Sequence, residues 1–231
     1  MRRHLRSSAR FPLRGPDWQH ALLMGGATGL LLELIFVGLT YLASQEATFH
    51  LSPLAVAVNL PAIGYALRVY RETLLQGIEA PGKWENWSGL LRSGVATFAV
   101  GLPYMVVPLL TLLIGLGLLA RGGTLLFFGM VLMVLGVLAG IFTLFFLPMA
   151  VARYLVHGRI EAAFHPGIVW GGITAVLPEY VATYVLSVGA CILAGLAAAI
   201  PYFGPLVWPF LWFYLMLVQV RLFGEVCGRP A

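Results

Sequence analysis

The sequence predicts an all-α integral membrane protein: a six-helix bundle with amphipathic inner-surface segments and both termini on the cytoplasmic side. Three observations carry that expectation. The chain is 60% hydrophobic and only 10% charged, where a soluble domain carries roughly 25% charged residues. Its apolar residues are gathered into long runs, each near the ~20 residues needed to cross ~30 Å of hydrocarbon. Thirteen of its 14 Lys and Arg residues fall into four stretches that alternate between those runs. Arg2, Arg3, Arg6, Arg10 and Arg14 precede the first run. Arg68, Arg71, Lys83 and Arg92 lie between the second and third, Arg153 and Arg159 between the fourth and fifth, and Arg221 and Arg229 after the sixth. Arg121 alone lies on the other set of connections. This is the positive-inside distribution for six spans.

The basic lead covers 1–20, with Phe11, Leu13 and Trp18 able to enter the headgroup region and Asp17 placed to cap the helix that follows. The run after it is longer than the 7–15 residues of a secretory signal core, and Glu33 interrupts it, so an uncleaved first helix over 21–43 is expected. Further spans are expected over 51–70, 94–119, 124–150, 178–200 and 203–223, giving one transmembrane domain over 21–223 and a cytoplasmic tail over 224–231. Short external turns at Ser44–His50, Arg121–Gly123 and Pro201–Tyr202 make each odd–even pair an antiparallel hairpin. The inner connections are longer. Trp84, Trp87 and Leu91 recur at helical spacing, which predicts a helix lying on the membrane surface. Ile160, Phe164, Ile168 and Trp170 suggest a second such element, interrupted at Pro166-Gly167. Gly25/Gly29, Gly136/Gly140 and the Ala190, Ala194, Ala198 seam supply small faces for close packing. The even helices each end in Arg at the cytoplasm, as positive-inside anchoring requires. Three repeated hairpins are the sharper reading of the same feature.

The stretch Gly64-Tyr65-x2-Arg68-x2-Arg71, followed by Gly77, Pro81, Trp84, Trp87, Leu90 and Gly94, resembles a prokaryotic polytopic membrane family classed as domain of unknown function 4013. Phe11-Pro12-Leu13-x2-Pro16-Asp17-Trp18 resembles its N-terminal element, and Arg153-Tyr154 and Phe164 extend the likeness more weakly. Lys83 stands where that family is usually acidic, and Ala80 replaces a Leu before Pro81. The resemblance implies six helices in a bacterial or archaeal cytoplasmic membrane. It implies no activity.

Glu33 is the one charged residue well inside a predicted span. A carboxylate there costs several kcal/mol unless it is protonated, paired or set in a cavity. Asn59 sits at a matching depth, so a Glu33–Asn59 hydrogen bond across the first hairpin is expected. The pair is either packing glue or a proton or cation site, or Glu33 faces a lumen or partner. Trp84, Trp87, Arg68, Arg71 and Arg153 read as inner-surface anchors. Pro61, Pro103, Pro108, Pro148, Pro205 and Pro209 read as kinks. Glu179 after Pro178 reads as a helix-start charge. The five histidines do not pair at metal-ligand spacing, and no nucleotide loop or nucleophile elbow occurs. Cys191 and Cys227 are expected as free thiols. No catalytic set, metal or cofactor is indicated, and the net charge of +5 suits anionic lipid, not nucleic acid. The expected partners are membrane lipids, partner membrane subunits or a second copy. The expected role is an accessory, assembly or membrane-organising one, the alternative being a small permease or channel at Glu33/Asn59.

Overall fold

The computed structural model describes residues 8–42, 45–200 and 203–228, with side chains described outside 36–57, 203 and 205. Arg2, Arg3, Arg6, Arg229, His4 and the Pro201–Tyr202 turn lie outside those residues, as does the side chain of His50. The described chain is helical: a 3-10 turn at Phe11–Leu13, then α1 Trp18–Leu42, α2 Gln45–Gln76, α3 Trp87–Arg121, α4 Leu125–His157, a second 3-10 turn at Ile160–Phe164, α5 Pro166–Ala175, α6 Leu177–Ala198 and α7 Phe203–Cys227.

Each predicted span corresponds to one of these helices, and the apolar runs explain why. Backbone polar groups without water must be bonded within the segment, which an α-helix does. The helices overrun the apolar runs at their ends. At 35 residues and 1.5 Å per residue, α3 is about 50 Å long. The predicted external turn at Ser44–His50 is mostly the start of α2, which begins at Gln45. Among the described residues four helices are long and apolar enough to cross a membrane: α3, α4, α6 and Leu206–Cys227 of α7. The expected count was six. The described side-chain stretch of α2, residues 58–76, carries Arg68, Arg71 and Glu72, and that of α1 opens on Trp18, Gln19 and His20 and holds Glu33. These polar residues dilute both helices. Only 11% of the most apolar stretch of α3, and the same share of α4, is buried within the protein. Leu113, Phe127 and Phe142 are among the exposed side chains. So much contiguous apolar surface marks contact with lipid.

The chain divides into two compact units, 1–96 with 175–231, and 97–174. In the first, α7 packs on α1, α2 and α6, and α1 packs on α2. Gly25, Gly26 and Gly29 let α1 meet Phe213, Phe210 and Pro209 of α7. Tyr180, Thr183, Ser187 and Ala194 form the buried stripe of α6. The helix-end pattern Gly64 and Gly94 marks a close crossing of α2 and α3. A Cβ at Gly64 would overlap the Leu90 carbonyl oxygen, and one at Gly94 the Leu60 carbonyl oxygen. In the second unit, Gly115, Gly129 and Gly136 bring α3 and α4 together. The glycine seams at 25/29 and at 136 therefore serve packing within the chain. Gly158, at φ 66°, closes α4 by donating to the Tyr154 carbonyl, a left-handed position that glycine adopts without steric cost.

The ends and the inner connections differ in detail from the expected elements. Within the lead, Phe11 is buried in the core, and its 3-10 turn packs on α1 and α7. At the other end α7 runs past the expected limit at 223 to Cys227, which is buried, and Gly224 packs on Thr73. The predicted surface helix around 84–91 is not formed. Residues 77–86 carry no helix, and Trp87–Leu91 is the first turn of α3. The second inner element is interrupted as expected: the 3-10 turn ends at Phe164 and Pro166 starts α5, as suits a residue lacking an amide hydrogen.

The α2–α3 crossing yields a prediction. Gly64→Ala or Gly94→Ala forces backbone against backbone and should lower thermal stability in detergent by about 1–3 kcal/mol. Gly101→Ala, where nothing lies within 4 Å of the new Cβ, should be neutral or stabilising by about 0.5–1 kcal/mol. Thermal-aggregation midpoints of the three variants check it; equal midpoints would remove the crossing from the account.

Candidate functional site

The residues that carry the resemblance around Tyr65 converge on one structure. Residues 77–86 connect α2 to α3 without regular hydrogen bonding, so their carbonyls need other donors. Side chains supply them. The Tyr65 hydroxyl donates to the Gly82 carbonyl at 2.6 Å. The Arg68 guanidinium donates to the Lys83 carbonyl, and the Arg221 guanidinium, from α7, to the Ile78 carbonyl. Tyr65 and Trp84 stack with ring centroids 4.6 Å apart and planes 12° apart. Phe213 of α7 closes on both rings at 6.0 Å. Arg68 lies over the outer side of this cluster, 5.0 Å from the Tyr65 centroid. Its Nε is 3.9 Å from Glu72 Oε1, an ion pair too long to be a hydrogen bond.

Charge holds the margins. Arg221 pairs with Glu225 at 2.7 Å and lies 5.1 Å from the Phe11 ring centroid, a cation–π contact. Lys83 lies 3.7 Å from Asp17, tying the lead to the connection; both are well exposed, so the pair adds little. Asn86 ends the connection in a left-handed conformation, φ 59°, which asparagine tolerates better than most residues. Its Oδ1 accepts from the Ser88 hydroxyl and the Gly89 amide, capping α3.

The expected anchors therefore divide. Trp84 is buried and part of the core, while Trp87 is exposed at the start of α3. Arg68 is a loop clamp and Arg71 is an exposed cation. Arg153, in the other unit, packs against Gly172 of α5, with its Nε buried and without a hydrogen-bond partner. Glu33 is half-buried on α1. Asn59 Oδ1 is buried on α2 without a partner, so the expected hydrogen bond to that oxygen is not made. Sequence reasoning missed Phe213 and the loop role of Arg221. Phe213 gave no signal in a run of apolar residues, and Arg221 was read only as a topology marker.

The second unit holds an apolar groove of about 450 Å³. Tyr104 and Val107 of α3 form one wall and Phe142, Thr143 and Phe146 of α4 another. Phe164 and Val169 close it. Tyr104 stacks on Phe164 at 5.5 Å and its hydroxyl donates to the Ala163 carbonyl. The Thr143 hydroxyl donates to the Tyr104 carbonyl at 3.1 Å. The polar atoms of these two wall residues are thus engaged within the protein. Among the described residues no group of three or more His, Cys, Asp or Glu is placed to hold a metal ion.

A chain whose described residues are helical, with four helices long and apolar enough to cross a membrane, is a helical membrane protein. The profile of the family described as Protein of unknown function (DUF4013) matches residues 47–203, more than half of the chain, and the chain belongs to that family. Comparison with curated proteins and with solved structures finds no match.

Two measurements check the clamp. Tyr65→Phe keeps the stack but removes the donor to Gly82, and should cost about 1 kcal/mol. Trp84→Ala removes the central ring and should cost about 3–5 kcal/mol. In single-tryptophan variants reconstituted in vesicles, acrylamide and shallow brominated lipid should quench Trp87 and leave Trp84 unquenched. Equal quenching of the two would show that the buried position of Trp84 is not the one adopted in lipid.

Proposed function

We propose that this protein is a non-enzymatic accessory, assembly or membrane-organising component of a prokaryotic cytoplasmic membrane, with six spans and both termini cytoplasmic. The observation that carries this reading is the use made of the family-bearing residues. Gly64, Tyr65, Arg68, Trp84 and Gly94 cross two helices and pin the connection between them. They build a rigid platform, not a nucleophile with its base. Arg71 on α2 and Lys83 and Glu85 on the connection are exposed, charges suited to a partner subunit at the cytoplasmic face.

A second reading, a small permease or channel, is favoured by Asn59. A buried amide oxygen without a partner costs about 1–3 kcal/mol, which a translocating proton donor or cation at mid-depth would offset. The two readings separate by experiment. Cross-linking in intact membranes should trap a complex of fixed composition that is lost when Arg71 and Lys83 are both changed to Glu, with thermal stability unchanged. Protein that runs as a monomer in mild detergent, and whose proteoliposomes carry a cation or proton flux abolished by Glu33→Gln, establishes the permease instead. Topology is checked separately. Reporter fusions at Gly82 and Gly158 should report inside and a fusion at Arg121 outside; fusions at Gly82 and Gly158 reporting opposite sides would overturn the six-span arrangement.

A further inference from the structure

The groove in the second unit and the unpartnered guanidinium beside it belong to one surface. On α4, Phe142, Phe146, Met149 and Arg153 follow one another at intervals of four, three and four residues, so they share a face. The first two line the groove. The last two meet α5 at Gly172, where a Cβ would lie 2.8 Å from Met149 Sδ and 2.6 Å from Arg153 Nη2. Gly172 is three residues, or about 4.5 Å of helix, from Val169, which lines the groove. The stripe therefore runs from an apolar trough to a cation over about two helical turns, or roughly 10 Å.

The two ends make complementary demands. The trough is bounded by exposed apolar side chains, with Val107 63% and Phe142 66% exposed, so it opens toward lipid in the bilayer. Its volume of about 450 Å³ falls within the range of small-ligand sites. The hydroxyls of Tyr104 and Thr143 are engaged by carbonyls within the protein, so these walls hold hydrocarbon and not a polar solute. At the other end, Arg153 Nε is buried with no hydrogen-bond partner. Among the described residues no carboxylate is shown paired with this guanidinium. Arg153 as a whole is only half-buried, and a guanidinium binds phosphate through two parallel hydrogen bonds. A molecule that satisfies both ends has a hydrocarbon chain and an anionic phosphate.

We infer that this surface is a binding site for one anionic phospholipid of the inner leaflet, with an acyl chain in the Tyr104–Val107–Phe146 groove and the phosphate on Arg153. The inference rests on the membrane-embedded reading proposed above and takes its leaflet from the arginine distribution. Phosphatidylglycerol serves as the probe. A zwitterionic phospholipid fills the groove equally well but presents a headgroup amine that competes with the guanidinium for the phosphate.

Native mass spectrometry of the full chain, released from mild detergent with phosphatidylglycerol or phosphatidylcholine added, tests it. One phosphatidylglycerol should be retained with roughly ten-fold preference, the scale of a hydrogen bond to a charged group. Arg153→Gln should abolish that preference, while Arg159→Gln, at an exposed arginine outside the stripe, should leave it intact. Val107→Trp fills the groove and should reduce retention of both lipids; it decides the matter alone if Arg153→Gln does not yield helical protein by circular dichroism. Millimolar inorganic phosphate should not displace the lipid. Equal retention of the two lipids by the unmodified chain, a preference that survives Arg153→Gln, retention indifferent to Val107→Trp, or displacement by phosphate alone would each overturn the site. None of these outcomes bears on the topology fusions or on the partner complex, so this failure is distinguishable from failure of the proposed function.

Discussion

A backbone that leaves a helix at the edge of an apolar bundle must find hydrogen-bond donors, and this requirement organises the first unit. The connection 77–86 carries no helix, so most of its carbonyls lack helical partners, while those of Lys83 and Asn86 accept from the Glu85 and Leu90 amides. An unpaired carbonyl costs most where it is removed from water, and Trp84 is the buried residue of this otherwise exposed or half-buried connection. Tyr65 and Arg68 on α2 and Arg221 on α7 reach Gly82, Lys83 and Ile78. The donors come from two helices that also pack on each other. Satisfying the loop therefore fixes the relation of α2 to α7, and the Tyr65–Trp84–Phe213 cluster fills the space that this geometry encloses. The Gly64–Gly94 crossing follows, since only bare backbone lets α3 leave the loop so close to α2.

The helices were legible because hydrocarbon imposes a length and a polarity rule that any apolar run displays. All six predicted spans fall on helices, with boundaries displaced at the ends. Those displacements have one cause. Hydropathy marks where lipid contact ends, whereas helices continue as long as a neighbour covers them. Thus α7 runs past the expected limit at 223 because Gly224 seats against Tyr70 and Thr73, and α2 extends to Gln76. The periodicity of Trp84, Trp87 and Leu91 was misleading for a related reason. Its last two members do belong to one helix, but Trp84 occupies a loop position held by stacking. Spacing alone does not distinguish a helical neighbour from a residue folded back onto Tyr65.

The candidate site was legible only in part. Gly64, Tyr65, Arg68, Trp84 and Gly94 were identified as a set by the family resemblance, and the structure joins them. Their roles were not legible, because an arginine near a helix end satisfies the positive-inside pattern whatever else it binds. Phe213 and Tyr104 sit in uniformly apolar runs where one aromatic is as eligible as another. Glu33 and Asn59 show the opposite case. Depth matching placed them together, yet a hydrogen bond also requires the right faces, and the Asn59 carbonyl oxygen remains unpartnered.

The arginines at the ends of the even helices share a topological origin and differ in chemistry. Arg68 and Arg221 are stabilised by aromatic faces, carboxylates and loop carbonyls. For them the positive charge is an instrument of folding, although Arg68 Nε, like that of Arg153, is buried without a hydrogen-bond partner. Arg153 sits against Gly172, with its Nε buried and no partner. A cation of this kind at a membrane margin is tolerated when its alkyl stem lies on apolar surface and an anion meets the head. Met149 and Gly172 supply the first condition. The second has to come from outside the chain, and at that depth the abundant anion is the phosphate of a lipid. One basic pattern in the sequence thus yields two physical outcomes, according to whether the protein itself supplies the partner.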